Sequence, residues 1–189
     1  GSICIKLPMP PGTLPTLWQD DERYVSSYLA AYPGYYLTGD GGYIDEDGYL
    51  FVMGRTDDVL NVAGHRLSTG SIEAALAGHE AVAECAVIGV RDELKGQVPR
   101  ALVVLKAGID GEAEGERIRT ELVARVRGEV GAVAALHQVD IVAGLPKTRS
   151  GKILRKTMRE IADGGNPAVP ATIEDAGVLE RLGPVLRGS

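Results

Sequence analysis

The sequence predicts an α+β protein: a small β-rich piece, then a compact domain whose helices flank a mixed sheet. Three observations predict it. Residues 1–56 hold short alternating segments separated by Pro, Gly and Asp clusters. From Asp57 onward, long apolar runs alternate with helical periodicity across short connections. From Gly164 the chain turns rich in Gly, Pro and Ala.

Residues 2–7 alternate like a strand and stop at Pro8-Met9-Pro10-Pro11-Gly12, a cluster that ends regular structure. Asp20, Asp21 and Glu22 suit the positive end of a helix, and around them Trp18, Tyr24, Val25, Tyr28 and Leu29 recur at helical spacing. Tyr35-Tyr36-Leu37-Thr38 and Tyr49-Leu50-Phe51-Val52-Met53 read as strands, joined across Asp45-Glu46-Asp47-Gly48. Two or three short strands do not bury their own apolar faces. Val59–Val62 and His65–Leu67 form a hairpin across Ala63-Gly64, and Thr69–Leu76 starts a helix with Thr69 or Ser71 as cap. Val82–Val90 and Val98–Leu105 are long apolar strands either side of a polar turn. Ile118, Leu122, Val123, Val126 and Val130 mark one face of a helix between Glu114 and Val130. Val139–Val142 gives another strand and Ile153–Ile161 a helix; beyond Gly164 the expectation is an extended tail, with at most a short helix at Val178–Leu182.

Composition narrows the function. An apolar fraction of 44% supplies a core, and 26 acidic against 20 basic residues, a formal charge of −6, argue against a dedicated nucleic-acid binder. Basic groups concentrate between Lys147 and Arg159, which suits a small anionic ligand or a solvated helix face. Cys4 and Cys85 sit in apolar alternating stretches as small buried hydrophobes, with no disulfide framework and no Cys/His spacing for a metal. With no apolar run of about 18 residues and no charged-then-apolar leader, the expectation is no membrane and a reducing, cytoplasmic compartment.

Several segments carry groups suited to chemistry. Asp40, at the end of a strand, has a carboxylate that can accept both hydroxyls of a ribose, although Thr38-Gly39-Asp40 taken alone is first a turn. Arg55 follows the partner strand; its guanidinium suits phosphate or hydroxyl pairs, the plainer role being a surface salt bridge to Asp45 or Asp47. Asp57 and Asp58 lie at the junction between the two pieces, where they serve as a turn, a cap or a hinge. Gly64 permits positive φ or close approach to a ligand, and beside it His65 is read first as structural, with no metal partner at ligand spacing. Lys152 follows Ser150-Gly151; a lone Ser-Gly-Lys is first a helix start, and Gly144–Lys152 departs from a Walker loop. With Ser150 as a cap and a helix N-terminus beyond, its ammonium is placed for phosphate or carboxylate oxygens.

In order, Tyr36-x-Thr38-Gly39-Asp40, Gly54-Arg55-x-Asp57-Asp58, Gly64-x-Arg66 with Glu73 following, and Pro146-Lys147-Thr148-x-Ser150-Gly151-Lys152 resemble the AMP-forming acyl-CoA synthetase (adenylate-forming ligase) family over nearly the whole chain. The sequence around them, notably Asn61-Val62-Ala63-Gly64-His65-Arg66 and Leu94-Lys95-Gly96-Gln97-Val98, is most similar to propionate–CoA ligases and next to acetate–CoA ligases. The resemblance implies a two-step reaction: a carboxylic acid and ATP give an acyl-adenylate and pyrophosphate, then the C-terminal domain swings and coenzyme A attacks. It implies that Asp40 and Arg55 hold the ribose, that Arg66 contacts phosphate, and that Asp57 is the hinge. It implies further that Lys152 bridges carboxylate and α-phosphate, and that Gly64, with His65 and Arg66, lines the coenzyme A path.

The family's phosphate loop, adenine segment and acyl pocket have no counterpart in this sequence. On the resemblance, residues 1–56 are the end of a large N-terminal domain, 57–163 a mobile lid, and 164–189 a tail, and this chain alone activates no acid. The implied partners are a short-chain carboxylate, ATP/AMP, coenzyme A, and Mg2+ held with the missing domain. A protein acetyltransferase and deacetylase acting on Lys152 are also expected, since acetylation removes the charge the chemistry needs. The alternatives are an acetate–CoA ligase piece, or a non-catalytic nucleotide- or CoA-binding regulatory module.

Overall fold

A computed structural model describes residues 1–188, and the side chains of Met53 and Asp57 lie outside the described ones. The chain divides into two compact units, Gly1–Asp57 and Asp58–Ser189.

The first unit is a three-stranded antiparallel sheet in the order β1 (Ser2–Lys6), β2 (Tyr35–Ile44), β3 (Leu50–Arg55). Between β1 and β2 lies a short helix, α1 (Asp21–Tyr24), capped by the Asp20 carboxylate accepting from the Arg23 amide, and continued by a π turn over Val25–Leu29. Tyr24, Tyr28 and Tyr36 gather beside it, with Tyr28 and Tyr36 stacked at 5.2 Å. The β2–β3 hairpin closes on Asp45, whose carboxylate accepts from the amides of Asp47 and Tyr49. Strand β2 runs through Thr38-Gly39-Asp40, so Asp40 stands within a strand and not at its end, paired with Arg55. Register puts Gly42 and Ile44 opposite Val52 and Leu50, while Tyr43 stacks on Phe51 across the strands. Ile44, Leu50, Val52, Tyr43 and Phe51 are all exposed, and Tyr24 is the buried hydrophobe of this unit among the described residues.

The second unit is a five-stranded mixed sheet. Strands β4 (Val59–Val62) and β5 (His65–Ser68) form a hairpin; β6 (Val82–Asp92) and β7 (Gly96–Leu105) form a longer one. The order is β5-β4-β7-β6, with β8 (Gln138–Ile141) parallel to β7. Alternation along β6 and β7 divides the apolar residues between two cores. Val87, Ala101 and Val103 face α2 (Thr69–Ala77) and α3 (Gly115–Glu129), packing with Ile72, Leu76, Ile118, Leu122 and Val126. Ala86, Ile88 and Leu102 face the other way, onto α4 (Arg155–Ala162) and α5 (Gly177–Arg187), packing with Met158, Ile161, Leu179, Leu182 and Leu186.

Four expectations are corrected here. The expected extended tail instead contains α5, eleven residues long, whose Leu179, Leu182 and Leu186 sit in the second core. Their 3-and-4 spacing is helical, but Gly183 and Pro184 within it disguise the pattern. Helix α4 starts at Arg155 and not Ile153, because Ile153 pairs with Lys147 as a β-bridge. Ser150 is not its cap: the cap position is Leu154, and the Ser150 hydroxyl meets that of Thr148 at 2.9 Å. Helix α2 likewise takes its cap one residue early, from Ser68 accepting the Gly70 amide at 3.2 Å.

Candidate functional site

In the first unit, Asp40 and Arg55 come together. Their side chains meet at 3.7 Å, both partly exposed, and Arg55 Nη1 donates to the Thr38 carbonyl at 3.3 Å. The guanidinium lies on Gly39, where a Cβ would stand 2.6 Å from Arg55 Nη2, and Gly39 has φ +80°. Only glycine meets both demands. Thr38 fixes the turn from beneath, accepting from the Asp40 amide at 3.1 Å and donating to the Ile3 carbonyl at 2.9 Å. Thr56 donates to the Gly39 carbonyl at 3.1 Å. The result is a carboxylate and a guanidinium side by side on an exposed edge; the expected salt bridge to Asp45 or Asp47 is replaced by Asp40.

The backbone of Asp57 lies in a single 3₁₀ turn, Thr56–Asp58, where the two units meet in sequence, while its side chain, the expected hinge group, lies outside the described residues. Past it, Ala63 and Gly64 have φ +50° and +86°, the two left-handed positions of a type I′ hairpin turn. The turn is held from behind by the Ala63 amide donating to the Lys95 carbonyl at 2.9 Å. Gly64, His65 and Arg66 are all exposed at this tip, so His65 does not take the structural core role.

Lys152 stands on a tightly tied loop. Lys147 pairs with Ile153; the Thr148 amide donates to the Lys152 carbonyl at 2.8 Å, and the Gly151 amide to the Thr148 carbonyl at 2.8 Å. Thr148 Oγ1 accepts from the Lys152 amide at 3.1 Å, and Gly151 turns with φ +83°. Two cations that flank the loop are occupied. Lys147 Nζ is 2.6 Å from Glu84, and Arg155 pairs with Glu73 through two bonds of 2.9 and 2.8 Å. Lys152 is exposed, and among the described residues its ammonium has no ion pair. Of these three charges, the one left for a ligand is that of Lys152.

Residues 71–152 match the AMP-binding enzyme C-terminal domain. This chain carries the C-terminal domain of the AMP-forming acyl-CoA synthetase family. It is 59% identical over 187 residues to an uncharacterized protein of Pseudomonas aeruginosa, covering 99% of this chain and 30% of that protein. It is 48% identical over 187 residues to the mitochondrial acyl-CoA synthetase short-chain family member 3 of mouse, covering 99% of this chain and 27% of that protein. Among solved structures, the o-succinylbenzoate CoA synthetase of Bacillus subtilis in complex with its acyl-adenylate intermediate matches with a TM-score of 0.66 at 26% identity. That match covers 84% of this chain and 30% of the other. The chain therefore spans under a third of the length of these relatives.

Glu73, which in the sequence belongs to the Gly64-x-Arg66 motif region, has a partner that no local pattern shows, Arg155. The Glu73 carboxylate also accepts from the Val87 amide at 2.8 Å, so one side chain joins α2, β6 and α4 at their crossing. Burial alone would lower the Arg155 guanidinium; its bonds to Glu73 and the charges of Glu73 and Asp58 outweigh that and hold it above its ordinary range. Beside them Cys85 is pushed up to about 11, by burial and then by the Glu73 charge, which keeps it a thiol at neutral pH. The available signal was a glutamate within the apolar run Ile72–Leu76, since a charge there needs a partner.

Proposed function

We propose that this chain is the mobile-lid portion, with the last strands of the large domain, of a short-chain acyl-CoA synthetase of the propionate–CoA ligase kind. The observation that carries the reading is Lys152: an exposed ammonium on a tied loop, with Lys147 and Arg155 neutralised internally. In this reading Lys152 bridges the acid's carboxylate and the α-phosphate of ATP, offsetting the negative charge that crowds there as the acyl-adenylate forms. A fixed cation at such a point is a stabiliser whose loss costs about 3–4 kcal/mol. Asp40 and Arg55 hold the ribose hydroxyls, and Arg66 meets a phosphate. The lid then turns about Asp57 and presents the Gly64–Arg66 tip to coenzyme A. Mg2+ would travel with the nucleotide; among the described residues no cluster of His, Cys, Asp or Glu is arranged to hold it. The same exposure leaves Lys152 open to a protein acetyltransferase, with a deacetylase as its counterpart and a cytoplasmic setting to match.

The exposed apolar strands of the first unit support a body that lies beyond these residues. The test is ligase activity of the complete gene product with propionate, acetate and butyrate, beside Lys152→Ala. Propionate should be preferred, and the variant should lose adenylate formation on the order of 100-fold or more. This chain by itself should give no ATP–pyrophosphate exchange. Exchange by the isolated chain, or an unimpaired Lys152→Ala enzyme, would overturn the assignment.

A further inference from the structure

The matched family domain ends at Lys152, but the polypeptide continues and comes back to the loop that carries it. Thr148 forms an antiparallel bridge with Ile173. The Arg149 amide donates to the Thr172 carbonyl at 3.0 Å, and the Glu174 amide donates to the Lys147 carbonyl at 2.9 Å. The loop is thus the middle of a three-layered ribbon, with Ile153 on one side and Ile173 on the other. Its internal bonds fix its shape; the Lys147–Glu84 pair onto β6 and the outer segment together fix its direction relative to the sheet.

That outer segment is itself anchored. Ile173 is buried in the second core, and α5 follows with Leu179, Leu182 and Leu186 in the same core. At the far end of α5, buried Arg100 donates from Nη1 to the Leu186 carbonyl at 2.6 Å and from Nη2 to the Val185 carbonyl at 2.5 Å. Its Nε donates to Asp140 at 2.7 Å. The guanidinium so fills the acceptor positions that a helix C-terminus leaves open, and ties α5 to β7 and β8.

We propose that Thr172–Arg187 is a positioning strap for Lys152: a bridging segment, Thr172–Glu174, that aims the lysine's loop through backbone bonds to Lys147 and Arg149, followed by a helix locked to the sheet by Arg100. The proposal rests on the synthetase reading for the task of Lys152, and on geometry alone for the strap. Thr172 and Glu174 are exposed, so their ribbon bonds bury little; what they determine is where the ammonium sits. Misplacing such a group by about 1 Å costs up to ~100-fold in rate.

The test is Glu174→Pro, which deletes the amide donor to Lys147, beside Glu174→Ala, which keeps it. Ile173, being extended, tolerates a following proline. In the complete gene product, Glu174→Pro should slow acyl-adenylate formation about tenfold or more, leave the thioester step from supplied acyl-adenylate within about twofold, and leave the melting temperature near that of Glu174→Ala. In the 189-residue chain, Glu174→Pro should speed hydrogen exchange at the Arg149 amide while exchange in α3 stays unchanged. Equal losses in both steps, or a normal adenylation rate with fast exchange at Arg149, would sink the strap. If the wild-type protein forms no adenylate, the synthetase reading falls. The strap is then judged by the exchange result, where an unchanged Arg149 rate rejects it and an accelerated one sustains it.

Discussion

The two units of this chain use similar strands to opposite ends. In Asp58–Ser189 both faces of the sheet are covered, by α2 and α3 on one side and α4 and α5 on the other, and Ile72, Leu76, Leu102, Leu122 and Met158 have no exposure. In Gly1–Asp57 the sheet has comparable apolar content, yet Ile44, Leu50 and Val52 on one face and Tyr43 and Phe51 on the other stand open. A sheet needs a second layer to bury what its alternation offers, and among the described residues only the second unit has helices over both faces; in the first, the short Asp21–Leu29 segment covers little beyond Tyr36. The first therefore carries its site, Asp40 beside Arg55, on a platform that is not energetically closed.

The largest expected effect follows from that contrast. Residues 58–189 made alone should unfold cooperatively in urea, with a dispersed amide spectrum. Residues 1–57 alone should show neither. A dispersed spectrum from the shorter piece would break the comparison outright.

Next come single core truncations. Leu122→Ala, in the first of the two cores, should cost about 2–5 kcal/mol, read from the urea midpoint of the second unit. The same truncation at Leu50, half exposed, should stay within about 0.5 kcal/mol. Arg100→Met should cost about 3 kcal/mol, because it strands the Asp140 carboxylate and frees two carbonyls of α5. Glu73→Gln keeps the shape but removes the charge facing Arg155; about 1–3 kcal/mol is expected. In that variant Cys85 should alkylate faster, since the carboxylate that helps hold its thiol up is gone; an unchanged rate would place burial as the whole cause.

These residues also mark what could be read in advance. Elements with strong periodicity were legible: the Ile118–Val126 face of α3, the runs of β6 and β7, and the Ala63-Gly64 turn all stand where spacing put them. So were the loop of Lys152 and the pairing of the Asp40 and Arg55 strands. What stayed hidden depends on contacts across the chain. Arg100 meets Leu186 from 86 residues away, and Glu73 meets Arg155 from 82. No local pattern encodes such partners; a lone charge in an apolar strand or helix says only that a partner exists. Helix α5 was hidden differently, by composition: Gly183 and Pro184 weaken its helical signal while docking onto the sheet supplies its stability.

The smallest expected effect is the most discriminating for the first unit. Leu50→Lys and Val52→Lys place charges on the open face of β3, opposite Ile44 and Gly42. Because both positions are already more than half exposed, the stability of this chain should move by no more than about 0.5 kcal/mol. Self-association and binding of an apolar dye should fall, since the contiguous patch is broken. In the complete gene product the same changes should cost several times more if the large domain covers this face, because each then buries an unpaired ammonium. Equal and negligible costs in both settings would mean that the face stays open in the whole protein, and that the uncovered strands say nothing of a missing body.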